Sequence, residues 1–264
     1  WWFPFFQLEN EEGAVIRPTS LKRDELVFAV KPSVGTVAPG SDNKIKQSVA
    51  SNKMNVLINL LNTEIPSEFK FGVEDFHVLN GEKTNSGLVF CPHVKGVFGI
   101  KEVQSRLNQS MPSLNNLNGI YAGQIDDDSN INNQKLIETQ DKFKNNELSL
   151  LIATKAFGMG IDKENIRYTI HFNMPQSIEA FYQEAGRAGR DRKTSYCYII
   201  YSHERVTSGN SVDKDNLMGF YKNSFPGISK EKRVLNELLT EIVFPNQTSF
   251  PDLSEKIEKE FEIN

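Results

Sequence analysis

The sequence predicts a doubly wound α/β domain, a parallel sheet with helices on both faces, and three observations predict it. From residue 86 onward, short apolar runs alternate with polar stretches of helical spacing. The apolar runs are near-continuous, as strands covered on both faces must be. With 264 residues, 38% of them hydrophobic, the chain can also bury the core of one large domain or two small ones. Together these exclude a peptide, a collagen-like chain and a wholly disordered chain.

The elements follow in order. Leu26-Val27-Phe28-Ala29-Val30 reads as a strand, and residues 31–43, with Pro32, Gly35, Pro39 and Gly40, as turns. Ile45, Val49, Val56, Leu57, Leu60 and Leu61 then recur at helical spacing, predicting an amphipathic cover helix that Pro66 should end. Residues 69–85 show no clear period. Strands are expected at 88–91, 120–121, 148–153, 168–172 and 195–201, with helices over 97–107, 132–144 and 177–183. Beyond Ser202 the chain turns polar, with candidate helices over 213–223, 230–243 and 253–261. The expected organisation is an N-terminal extension with entry strand and cover helix (1–85), the α/β domain (86–202), and a helical tail or partial subdomain (203–264).

Charge and cysteine usage narrow the function classes. Lys+Arg 30 against Asp+Glu 34 leaves a net charge of -4, which argues against holding nucleic acid by bulk electrostatics, so any such contact must be local. Cys91 and Cys197 are too few for a disulfide framework or a four-cysteine zinc site, and a reducing, intracellular setting is expected. The run Trp1-Trp2-Phe3-Pro4-Phe5-Phe6 is far shorter than a membrane span and lacks a basic leader, so no membrane association is expected. Trp1 in place of methionine points to a segment of a longer chain. His77, His93, His171 and His203 are too scattered to propose a metal site. Asp126-Asp127-Asp128 follows no apolar strand and reads as a solvated acidic loop.

Two segments carry chemistry. In Gln183-Glu184-Ala185-Gly186-Arg187-Ala188-Gly189-Arg190-Asp191, two arginines three apart lie on one side of a helical turn, where guanidinium groups can grip phosphate oxygens in pairs. The interleaved glycines remove side chains that would keep a phosphate away. Taken alone, the pattern also fits a solvated helix end. In Ile152-Ala153-Thr154-Lys155-Ala156-Phe157-Gly158-Met159-Gly160-Ile161-Asp162-Lys163, a strand ends in a glycine-bearing turn. Ligands of open α/β sheets bind outside the carboxyl ends of strands, where Gly158 and Gly160 would admit close approach and Asp162 could bond a sugar hydroxyl. Alone, this stretch equally fits an ordinary strand-to-helix turn, with Thr154 a β-branched strand terminus and Asp162 a helix N-cap.

Together, and in this order, the two segments closely resemble motifs V and VI of the RecQ-type family of superfamily-two DNA helicases. His171-Phe172, Pro175, Ser177-Ile178-Glu179-Ala180 and Tyr182-Gln183-Glu184 also fit that family. Leu88-Val89-Phe90-Cys91 stands where motif IV would, and Tyr121-Ala122-Gly123 is similar to the family's His-Ala-Gly. DEAD-box RNA helicases share the fold, but carry a His-Arg pair where this chain has Gln183-Glu184. The resemblance implies a RecA-like second helicase lobe, one of two that close over ATP and Mg²⁺. It implies Arg190 as the arginine finger, Arg187 as a γ-phosphate and coupling contact, and Asp162 as the ribose ligand, with Gly160 beside it. Gln183 would join the nucleotide and DNA sites. Thr154, Lys155 and Phe157 would face the DNA backbone, with Cys91 and Pro92 as a second candidate.

The first lobe should supply a phosphate loop and the acidic motif that mainly holds the magnesium. Gly81-Glu82-Lys83-Thr84 is the nearest approach to that loop, but Glu82 intrudes and no glycine stands five residues before Gly81. The resemblance therefore implies an upstream first lobe, DNA as a single strand or unwinding junction, 3′ to 5′ translocation, a place in DNA repair and recombination, and no activity for this lobe alone. The alternatives are a non-catalytic nucleic-acid or partner-binding module and the lobe of an RNA helicase.

Overall fold

The computed structural model describes residues 23–125, 129–157 and 162–224. Six β-rich runs form one all-parallel sheet: β1 (Leu26–Pro32), β2 (Ser86–Phe90), β3 (Asn118–Tyr121), β4 (Leu150–Ala153), β5 (Ile166–His171) and β6 (Ser195–Tyr201), in the spatial order β1-β6-β5-β2-β4-β3. Strands β2, β4 and β5 are buried at every position, and in β2 and β4 the stretches Leu88–Phe90 and Leu150–Ala153 read as continuous apolar runs for that reason. Successive residues nonetheless sort to opposite faces. Val89, Leu150 and Ile152 join one core cluster, while Leu88, Phe90, Leu151 and Ala153 join the other.

The helices cover both faces. On the first lie α1 (Asp42–Asn59), which buries Val49, Ala50, Lys53, Met54 and Leu57 at helical spacing, and α4 (Ile100–Ser110), which buries Ile100, Val103 and Leu107. On the second, Phe143 of α5 (Ser129–Lys144) and Ala185 of α6 (Ile178–Ala185) pack into the other cluster. This is the expected doubly wound α/β architecture. β1 pairs with β6 from Leu26↔Ser195 to Pro32↔Tyr201, so the sheet takes in residues 26–32 as well as 86–201.

Pro66 does not end the cover helix. α1 runs into a π-helical turn (Leu60–Glu64) and then into α2 (Ile65–Glu68), where Pro66 occupies the first turn. Proline has no N–H to donate, and the wide π turn, in which the Ile65 N–H bonds Leu60 O, resets the hydrogen-bond ladder ahead of it. Burial of Leu60, Leu61 and Ile65 holds the continuation against the core. A further short helix, α3 (Val73–Phe76), lies in the stretch that showed no period.

The start of the helical tail, α7 (Val212–Ser224), is tied to the sheet by buried charge. Lys53, on the apolar stripe of α1, donates to Asp213 Oδ1 (2.6 Å), Phe172 O (3.0 Å) and Ile200 O (2.9 Å), which uses all three ammonium protons. Asp213 also accepts from Asn173 Nδ2, the Met174 N–H and the Ser202 N–H. The network joins α1, the ends of β5 and β6, and α7. Burial pulls the Lys53 pKa down, and the Asp213 charge opposes that pull. The aromatic run at 1–6, the acidic run at 126–128 and the candidate helices over 230–243 and 253–261 lie outside the described residues.

Candidate functional site

The arginine-bearing turn is built by α6 and the residues just past its end. Ser177 caps α6, its hydroxyl accepting from the Ala180 N–H at 3.1 Å, and the Gly186 N–H closes the far end on Tyr182 O at 2.9 Å. Ala185 and Ala188 are fully buried, so the helix end lies directly on the sheet. The chain then turns at Gly189, φ +64°, and its N–H is held by Ile166 O at 3.0 Å. A Cβ on Gly186 would stand 2.8 Å from Tyr182 O, and one on Gly189 would stand 3.0 Å from Glu25 Cγ. The glycines thus have a reason in the backbone path itself, beside the phosphate access inferred from sequence.

Arg187 and Arg190 flank this turn. Arg190 Nη1 donates to Asp162 Oδ1 at 2.6 Å, which brings together two residues 28 apart in sequence. Asp162 is 79% exposed and Arg190 35%, so the pair faces solvent. Arg187 is half-buried, and burial, then the Arg190 charge, lowers its pKa, with Glu184 opposing. Asp162 precedes β5, and Gly189 is bonded to the first residue of β5, so this cluster lies at the amino edge of the sheet. The carboxyl-edge placement expected for Asp162 is therefore corrected. The chain runs from the end of β4 back to the start of β5, carrying Asp162 to the opposite edge. No helix follows Asp162, so it is not an N-cap either.

Asp191 secures the turn from the other side. Arg167 Nη1 donates to Asp191 Oδ1 at 2.9 Å, its Nη2 pairs with the second carboxylate oxygen, and the Lys193 N–H adds a bond at 3.2 Å. Burial would raise the Asp191 pKa, but these hydrogen bonds and the Arg167 charge outweigh it and hold the value down to about 2, below the ordinary 3.8. A depressed carboxylate stabilises the fold fully above its unfolded pKa and loses that contribution as pH falls through the folded one. Asp191→Asn should therefore lower the urea midpoint at pH 7, and the difference from wild type should shrink as pH falls from 4 towards 2. A pH-independent difference would refute the linkage.

The residues expected to face DNA gather at the carboxyl edge. α4 leaves β2 on one face and α6 leaves β5 on the other, opening a crevice between neighbouring strand ends. Cys91, Pro92, Lys155, His171, Asn173, Gln176 and Glu184 line it. Lys155 is exposed and donates to Gln176 at 3.3 Å. Thr154 is 9% exposed, with its N–H bonded to Tyr121 O and its carbonyl accepting from the Phe157 N–H.

Two expected contacts do not reach solvent. Phe157 is 1% exposed and packs edge-on against Tyr121 and Phe143, so its ring braces the turn from inside and is not available to a DNA backbone. Cys91 is 4% exposed, and burial pushes its thiol pKa far up, so its side chain is a core group rather than a contact. Gln183 is exposed on α6. Gly160 lies outside the described residues.

Among the residues that the structure adds to the crevice, His171 and Glu184 pair with each other. His171 Nε2 meets Glu184 Oε2 at 2.8 Å, while the ring stacks on Phe90 and meets Phe181 edge-on. Glu184 stands one helical turn before Arg187, so α6 spans from the carboxyl-edge crevice to the amino-edge arginines. Both residues belong to segments that carry the helicase resemblance, but a pairing across 13 residues has no local signature. Among the described residues, no group of three or more His, Cys, Asp or Glu could hold a metal ion, and no helix is long and apolar enough to cross a membrane.

Residues 70–192 match the helicase conserved C-terminal domain. The ATP-dependent DNA helicase RecQ of Bacillus subtilis is 51% identical over 69 residues, which cover 26% of this chain and 12% of that protein. The probable ATP-dependent DNA helicase RecS of the same organism is 40% identical over 159 residues, 58% of this chain and 30% of that one. A putative ATP-dependent RNA helicase of Acanthamoeba polyphaga mimivirus is 45% identical over 104 residues, 39% of this chain and 19% of that one. The matched regions thus span between 12% and 30% of these relatives. Residues 70–192 are thus similar to the conserved C-terminal domain of helicases, and the relatives matched include DNA helicases of the RecQ type.

Proposed function

We propose that this chain is the second motor lobe of an ATP-dependent 3′ to 5′ DNA helicase, inactive without a first lobe. The observation that carries the reading is the solvent-facing Arg190–Asp162 pair, with the half-buried Arg187 close enough for the Arg190 charge to act on it. That donor set fits a nucleoside triphosphate, guanidinium to phosphate oxygens and carboxylate to sugar hydroxyl. Arg190 would stabilise charge developing on the transferred phosphoryl group, and Arg187 would hold the terminal phosphate. Magnesium, held mainly by the first lobe, would neutralise phosphate charge. At the other edge, Lys155 and the Thr154 and Pro92 backbone would meet the DNA strand, and α6 would link the two sites through Glu184 and Gln183.

The test is ATP hydrolysis with and without nucleic acid. The 264-residue chain should show none, whereas the full-length protein should be stimulated by single-stranded DNA and displace strands from 3′-tailed duplexes. DNA-stimulated hydrolysis by the chain alone refutes the half-motor reading. The name of the viral relative favours one alternative, an RNA helicase lobe, and stronger stimulation by RNA would establish it. A full-length protein without hydrolysis would instead support a non-catalytic binding module.

A further inference from the structure

Arg23 stands just before β1, ahead of residues 70–192 that match the helicase domain. Its guanidinium nevertheless reaches the arginine turn more than 160 residues away. Nη1 donates to Gly186 O at 2.6 Å, and Nη2 donates to Ala188 O at 3.1 Å and Gly189 O at 2.9 Å. Nε donates to Glu25 Oε1 at 2.8 Å, so four acceptors surround one planar cation. We infer that Arg23 is a positioning residue for the nucleotide-sensing arginines, clamping the carbonyls on both sides of Arg187 and immediately before Arg190. The inference rests on the proposed roles of those two arginines.

A helix end leaves carbonyls without intrahelical partners, and a cation there satisfies them while meeting the negative end of the helix dipole. α6 ends at Ala185, and the three accepting carbonyls belong to the residues just past it. A fixed carbonyl fixes its peptide plane. With the Gly186, Ala188 and Gly189 carbonyls held, the backbone from which Arg187 and Arg190 project has little freedom left. The clamp is itself anchored. Leu26 N–H bonds Arg23 O, Ser195 N–H bonds Glu25 O, and the Glu25 side chain, 7% exposed, also stands 3.6 Å from Arg192 Nη1. Hydrogen bonding by its own backbone N–H and by Arg23 lowers the Glu25 pKa, so the carboxylate stays charged and orients the guanidinium. Lysine could not reproduce this, because its three donors radiate from one atom, whereas the planar fork presents separate N–H groups to separate carbonyls.

The experiment compares Arg23→Gln, Arg23→Lys, Arg190→Ala and the double variant Arg23→Gln/Arg190→Ala in the full-length protein. Arg23→Gln should lower DNA-stimulated ATP turnover about tenfold to a hundredfold with the KM for ATP within about threefold, because a misplaced catalytic group costs turnover before binding. Arg23→Lys should fall between Arg23→Gln and wild type. The double variant should be no slower than Arg190→Ala, since both act through one group. Hydrogen exchange should rise at the amides of residues 186–190 and stay unchanged in β2, β4 and β5. Turnover within twofold of wild type for Arg23→Gln, with Arg190→Ala inactive, overturns the inference. So does a rise in exchange across the whole sheet, which would make Arg23 merely a stabilising residue. If Arg23→Gln does not fold, Arg23→Lys is read by the same criteria. If Arg190→Ala itself retains turnover, the finger assignment fails, and exchange at 186–190 still decides whether Arg23 clamps the turn.

Discussion

Arg190→Ala in the full-length protein is expected to lower DNA-stimulated ATP turnover about a thousandfold, the scale of losing an arginine finger, while ATP binding changes within about threefold. The loss corresponds to about 4 kcal/mol of transition-state stabilisation. The existing partner of Arg190 does not stand in the way. An exposed ion pair such as that with Asp162 is worth only about 1 kcal/mol or less, so a triphosphate can displace it without large cost. Arg190→Lys should recover part of the rate, because it keeps the charge and loses the paired donors. Steady-state turnover and equilibrium nucleotide binding, measured on the same preparations, separate the two effects. Turnover at the wild-type level in Arg190→Ala would remove the finger assignment.

Asp213→Ala is expected to destabilise the fold by about 3–5 kcal/mol, read as a lower urea midpoint, because it strands a buried ammonium. Lys53 and Asp213 both have fully buried side chains, and the substitution also leaves Asn173 Nδ2 and the Met174 and Ser202 N–H groups without that acceptor. Replacing both partners, Lys53→Met with Asp213→Leu, should recover only the part due to the stranded charge, because the Asn173, Met174, Ser202, Phe172 and Ile200 groups stay without these partners. A single substitution costing under about 1 kcal/mol would show that the network does not hold α7 to the sheet. The segment at stake matters for function as well as stability. Asn173 and Met174 line the carboxyl-edge crevice, so loosening them should disturb the proposed strand contacts.

Much of the architecture was legible in the sequence because its signals are local. Strand β6 falls on Ser195–Tyr201 as expected, and the continuous runs around 88–91 and 148–153 correctly announced strands covered on both faces. Helix boundaries moved where tertiary packing overrode a local rule. α4 begins at Ile100 rather than 97, after Gly99 in an extended conformation, while Val97 and Phe98 pack against the core from the preceding loop. Pro66 was legible as a helix breaker, but the π turn and the burial of Leu60, Leu61 and Ile65 carry the helical path past it.

The site divides the same way. Residue types and order alone pointed to the two arginines, Asp162 and the Thr154–Lys155 turn as candidates, since paired guanidinium groups and a glycine-bearing strand end are written in consecutive residues. Only the tertiary structure decided where they lie and which side chains face out. It carried Asp162 to the amino edge beside Arg190, and turned Phe157 and Cys91 into the core. It also brought Arg23 to the Gly186–Gly189 carbonyls and Lys53 to Asp213, contacts across more than 140 residues. The physical reason is one of range. Propensity, periodicity and motif spacing act over a few residues, whereas the partner of a guanidinium or of a buried ammonium is set by which strands become neighbours, and that is settled only when the whole sheet assembles.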